Sequence, residues 1–322
     1  MGRPRQRTDV ATSTASPPVE AGPFRGSTRS PRWRRRSRGL YLPRADAGSR
    51  RVAEELAAWR LVLPPCAGFT SLTSAELRGW WIPAAVEHPV FVCVPKTAAH
   101  PQRSGLLVTR HPRPVPTEIV DGLRVATAAE TLLAAARDLS PLDLVILGDA
   151  ALHLGACTVE DLWTAAAQRR SGAPCLRAVI PLLSGLSESP WESVLRLLHV
   201  AAGIEVVPQK VIHDDLDRFV ARSDLWLVGT RRIHEYDGDV HRDPAMHRAD
   251  LARDRRLVES GWQRVGFTSA QLLYEGAAII AGIDRLLGRT WNPRRLARWD
   301  SLLNASLLRP AGRARVQRRW TT

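Results

Sequence analysis

The sequence predicts an α/β protein: two compact α/β domains between basic tails, the second running α-β-β-β-α-β-α. Three observations predict it. A chain of 322 residues is long for one core, since a domain typically takes ~100 to 200 residues. Hydrophobic spacing switches repeatedly between the helical period and the alternating period of strands. Arginine gathers at both ends: residues 1–51 carry 13 Arg against 3 acids and residues 289–322 carry 9 against 1, leaving the middle at −4.

Composition narrows the function classes. With 44% hydrophobic and 24% charged residues the bulk is ordinary globular protein. No apolar run approaches the ~18 residues a membrane span needs, and the N-terminus lacks a secretory apolar stretch, so a cytoplasmic, non-membrane protein is expected. Cys66, Cys93, Cys157 and Cys175 have neither C-x-x-C nor zinc-site spacing and are read as reduced thiols. A net charge of +14 points to nucleic acid, but 44 Arg against 2 Lys fits a GC-rich genome at least as well as selection for phosphate contacts.

In chain order, residues 1–38 are rich in Pro, Ser, Thr and Arg and end in Arg32-Trp-Arg-Arg-Arg-Ser-Arg38. They are expected to be a disordered basic arm able to touch phosphate, with Trp33 placed to stack on a base. Residues 39–183 are expected to form a smaller α/β domain. Val90–Val94 and Leu106–Thr109 are its strands, and Thr127 with Glu130 spells a capping box for a helix through Leu139. Ser140-Pro141 starts a second helix to about His153, and Thr158 caps a third ending near Arg170.

The pattern changes at Ser184-Gly185, opening a domain over 184–288. Ser189-Pro190-Trp191-Glu192 begins a helix with Val194, Leu195, Leu197 and Leu198 facing inward. Strands follow at Glu205–Ile212, Phe219–Leu227 and Arg231–Tyr236. Then come a helix over Ala245–Ser260 closed by Gly261, a strand over Gln263–Phe267, and a helix capped by Thr268 and Gln271. Residues 289–322 are expected to be a basic tail.

Chemistry-bearing residues concentrate in that second domain. An acid, Asp224, ends its second strand, and an acid-x-acid pair, Glu235 and Asp237, ends its third; adjacent strands would set Asp224 beside Glu235. The set Arg222-Ser-Asp224, Glu235-Tyr-Asp-Gly-Asp-Val-His241 and Asp250-x-x-Arg253-Asp254-x-x-Leu257-x-x-x-Gly261-Trp262 resembles the very-short-patch-repair-like endonuclease family of actinobacterial proteins. Ser189 to Glu192 and Gln209 sit where that family has its leading helix and first-strand glutamine. Arg32 to Pro43, Thr73 to Pro83 and Gly122 to Leu133 more weakly resemble AbiEi-type antitoxins of type IV toxin-antitoxin systems.

The resemblance implies a restriction-endonuclease-like PD-(D/E)XK core and a magnesium-dependent DNA endonuclease, a hydrolase in which manganese can substitute. Asp224 and Glu235 would bind the metal. Asp237, His241 and Glu192 would assist, with His241 or a metal-bound water helping in proton transfer. The expected partner is DNA; a second copy or a partner toxin is left open. Three positions depart from the pattern. Asp237 stands where lysine is common, His234 where a small apolar residue is usual, and Gly266 where arginine usually supplies a phosphate or carboxylate partner.

Structural roles compete with each of these. Glu192 is also the N3 residue of a Ser-x-x-Glu capping box, Asp237-Gly238 also spells a turn, and Arg253 falls at helical spacing from Asp250 and Asp254, as in a solvated ion pair. The alternative reading is a catalytically inert, DNA-binding, antitoxin-like transcriptional regulator.

Overall fold

The computed structural model describes residues 22–44, 52–238 and 244–321, with 244–250 described by backbone alone. The chain divides into two units, Met1–Leu63 and Pro64–Thr322. It is mixed α/β, with three sheets among the described residues.

In the first unit β1 (Phe24–Arg25), β2 (Trp33–Ser37) and β3 (Leu40–Pro43) form an antiparallel sheet in the order β1-β3-β2, followed by α1 (Val52–Arg60). Alternation along β3 buries Leu40 and Leu42 on the side of α1, whose Leu56, Ala58 and Trp59 are buried in turn. Gly39, at φ +66°, makes the tight return between β2 and β3 that a side chain would strain. Residues 22–38 were expected within the mobile arm; they pair into strands because Phe24, Trp33 and Tyr41 supply apolar contacts that the arginine-rich composition masks.

The second unit opens with β4 (Gly68–Phe69), α2 (Ser71–Leu77), β5 (Val90–Pro95), β6 (Leu106–His111), β7 (Thr117–Val120) and β8 (Leu123–Ala126), a five-stranded sheet in the order β6-β5-β4-β8-β7. Helices α3 (Ala128–Ala135), α4 (Pro141–His153), α5 (Val159–Ala166) and α6 (Ala173–Val179) follow. Ser140 and Thr158 cap α4 and α5 through full capping boxes with Asp143 and Asp161. The box expected at Thr127 does not form. Glu130 is drawn instead to Arg170 and Gln168, at 2.6 and 2.9 Å, where a buried carboxylate gains a cation.

Then come α7 (Pro190–Ala201), β9 (Val206–His213), β10 (Phe219–Leu227), β11 (Arg232–Tyr236), α8 (Pro244–Glu259), β12 (Gln263–Phe267) and α9 (Ser269–Tyr274), each within about two residues of expectation. The strands form a sheet in the order β12-β11-β10-β9, antiparallel except for β11 and β12, which the α8 crossover makes parallel. Thr268 and Gln271 form the expected box.

One apolar cluster runs from Leu72 to Trp320, with α4 packed on α7. The expected tail from 289 is largely helical. After α10 (Gly276–Leu286), α11 (Ala297–Ala305) and α12 (Pro310–Trp320) bury Trp299, Leu303, Val316 and Trp320 in that cluster. Their helical spacing is thinly spread among arginines, which is why composition reads as a tail. Among the described residues no helix is long and apolar enough to cross a membrane.

Candidate functional site

Register assembles the site. Leu225 pairs with His234 and Trp226 with Ile233, which sets Asp224 at the level of Glu235. On the other side of β10, Ser223 pairs with Lys210 and Leu225 with Pro208, so Gln209 lies at that level too, and Glu235 pairs with Gly266. Gln209, Asp224, Glu235 and Gly266 therefore form one row across the four strands. Strand alternation then sorts the faces. Ile233 packs with Leu257 of α8 and Trp226 against them, so Asp224 and Glu235 share the α8 face. His234 and Tyr236 point toward α7, where they meet His199 and Trp191.

Glu235 is 4% exposed and carries two guanidiniums. Arg253 of α8 bridges both its oxygens, at 2.5 and 3.1 Å, and Arg264 of β12 reaches Oε2 at 2.6 Å. Arg253 was expected in a solvated ion pair along its own helix; the buried carboxylate claims it because an unpaired charge there costs several kcal/mol, of order 3 to 5. Arg264 was not singled out from the sequence. Its signal is the two-residue spacing from Gly266, which puts both on one face of β12.

Gly266 was read as the loss of an arginine partner, yet Arg264 fills that role from two residues away. Arg264 also binds Asp237, and a side chain on Gly266 would collide with the Asp237 carboxylate. Burial alone would weaken proton binding by Arg264, but hydrogen bonding and charge from Glu235, then Asp237 and Asp254, hold its pKa above the ordinary value.

Asp224 accepts the backbone N–H of Tyr236 at 2.9 Å. Burial, then the neighbouring Glu192 and Glu235 charges, push its pKa up to about 7 against the relief from that N–H and Arg253. Glu192 is held by Gln209, whose amide donates to Oε2 at 2.9 Å, and by the Glu188 N–H at 2.9 Å. The expected capping box is thus half formed: Ser189 accepts from the Glu192 N–H, while the Glu192 carboxylate serves Glu188 and Gln209. Gln209 adopts φ +53°, a left-handed conformation unusual for a non-glycine residue, at the point where it grips Glu192. His241 lies outside the described residues, as does the side chain of Asp250.

His234 is explained by His199. His199 Nδ1 must donate to the Leu195 carbonyl at 2.8 Å, so its Nε2 accepts from His234 Nδ1 at 2.9 Å, and both rings are neutral. Burial lowers their pKa values to about 4 for His199 and about 2 for His234. Burial likewise pushes the Cys93 and Cys157 thiols up to about 11, away from nucleophilic chemistry near neutral pH.

Magnesium takes one or two carboxylates and keeps much of its water. Asp224 and Glu235 are the carboxylates at this level, and because Arg253 and Arg264 already take both Glu235 oxygens, a cation there would have to displace a guanidinium. Among the described residues no group of three or more His, Cys, Asp or Glu could hold a metal ion.

No family model matches the chain, and no solved structure matches it. Over 171 residues it is 30% identical to an uncharacterized protein of Mycobacterium tuberculosis, present in two strains. The matched stretch is 52% of this chain and spans 63% of the length of those relatives.

Proposed function

We propose that α7 to α9 form a restriction-endonuclease-like core and that the protein is a magnesium-dependent DNA endonuclease of the repair-like or defence-associated kind, with manganese able to substitute. The observation that carries this reading is Asp224, an acid held near pH 7 in its titration at the level of Glu235 and in the field of Glu192. Asp224 and Glu235 would hold the ion, which supplies Lewis acidity toward the phosphodiester and water. Arg253 and Arg264 position Glu235. Glu192, fixed by Gln209, keeps the site electronegative, and Asp237, bound to Arg264, would assist.

A second reading, an inert DNA-binding regulator of the antitoxin-like kind, draws on one observation: both Glu235 oxygens are already occupied by guanidiniums. Cleavage of supercoiled, mismatched and single-stranded DNA with magnesium or manganese separates the two. The nuclease reading expects cutting that falls roughly 10²- to 10⁴-fold in Asp224→Ala and in Glu235→Ala. No cutting on any substrate, with DNA binding that weakens as salt rises, selects the regulator.

A further inference from the structure

We propose that the outer face of the β1-β3-β2 sheet is a stacking platform for unpaired bases of a single-stranded nucleic acid. The register builds this face. Tyr41 of β3 pairs with Phe24 on one side and with Arg35 on the other, and Trp33 pairs with Pro43, two residues along β3 from Tyr41. Cross-strand partners share a face, so Phe24, Trp33, Arg35 and Tyr41 stand together, opposite the buried Leu40 and Leu42. The rings confirm the grouping: Phe24 and Tyr41 stack at 5.4 Å and 13°, and Trp33 meets Phe24 edge-on at 4.5 Å. All three rings remain partly exposed.

The arginines divide along the same line. Arg34 and Arg36 turn to the helix side, where both pair with Glu55 and Arg36 lies over Trp59. Arg35 projects with the aromatic rings and has no ion-pair partner among the described residues. Residues 22–44 hold eight arginines and no acid. A packing surface would not need that charge, and a surface for phosphate alone would not need three rings. Together they match a single strand, whose bases have free π-faces while its phosphates track a basic surface. A duplex keeps its bases stacked on one another and offers the rings nothing.

The platform and the carboxylate site share no residue, and the platform is tested with the full-length protein in EDTA, so its failure is distinct from failure to cut. Fluorescence anisotropy compares labelled oligo(dT), oligo(U) and a duplex of equal length across a salt series. Either single strand should bind more tightly than the duplex, and the tighter of the two identifies DNA or RNA as the natural source. Trp33→Leu should weaken single-strand binding about 5- to 100-fold, whereas Trp33→Phe, which keeps a ring, stays within about 3-fold. Arg35→Ala should lower the salt slope by about 0.7. The proposal is overturned by duplex binding as tight as single-strand binding, by no binding, or by unchanged affinity in Trp33→Leu with an unchanged melting temperature. Should Trp33→Leu melt early, an unchanged affinity and salt slope in Arg35→Ala overturns it.

Discussion

Two kinds of buried titratable side chain push the stability of this protein in opposite directions with pH. Asp224 has a raised pKa in the fold, so the native state holds a proton that the unfolded chain releases above about 3.8. Its contribution is present below that pH and is lost as pH rises through about 7. Asp224→Asn should therefore raise metal-free stability by ~1 to 3 kcal/mol at pH 8 and by nothing near pH 3, as read by denaturant melts at both pH values. The His199–His234 pair has the reverse sign. Its rings are neutral in the fold, so stability is held above about 6.5 and lost as pH falls toward about 4. Each ring should cost up to ~1.4 kcal/mol per pH unit in that window. A double change to leucine should flatten the slope between pH 7 and 5; a slope equal to that of the wild type would contradict the neutral pair. Gly266→Ala tests the contact beside these groups. Because the obstructing atoms belong to a flexible carboxylate, we expect the fold to persist while Asp237 leaves Arg264.

At the scale of elements, α4 joins the five-stranded and four-stranded parts of the second unit by buried polar bonds. Its Asp149, fully buried, takes Arg196 and Ser193 of α7 at 2.7 and 2.6 Å and the Ser184 N–H at 2.7 Å. Asp143 caps α4 through Ser140 and also receives the Leu307 N–H at 3.1 Å. Burial raises the pKa of both carboxyls, against these donors. Asp149→Ala would strand the Arg196 guanidinium in the core and should cost ~3 to 5 kcal/mol in chemical denaturation. A loss under ~1 kcal/mol would mean that water reaches the site and screens the pair. The sheet edge at β9 is guarded by the same segment that serves the site: Pro208 lacks a donor, and Gln209 breaks the regular strand conformation. An edge built this way discourages pairing with another sheet while freeing Gln209 to hold Glu192.

For the whole molecule, the count of 46 Lys and Arg overstates the cations available to phosphate. Arg295 is bound to Asp284 and the Ala202 carbonyl, Arg309 lies over Tyr274, and Arg319 pairs with Asp138. The slope of log K against log salt for duplex DNA should accordingly fall well short of the roughly −41 that a phosphate contact from every Lys and Arg would give. A slope that steep would show these pairs opening on binding.

The sequence by itself determined the α/β class, the order and bounds of α7 through α9, and the pairing of Asp224 with Glu235. Those features follow from local periodicity, turn chemistry and strand register, all of which act over a few neighbouring residues. Only the tertiary structure decided that Glu130 leaves its capping box for Arg170, that Arg253 and Arg264 converge on Glu235, and that His199 accepts a hydrogen bond from a buried His234. It also decided that the basic segments at 22–44 and 289–321 fold. A charged side chain in a low-dielectric interior is governed by whichever counter-charge the packing brings near. That choice spans dozens of residues in sequence and leaves no local trace.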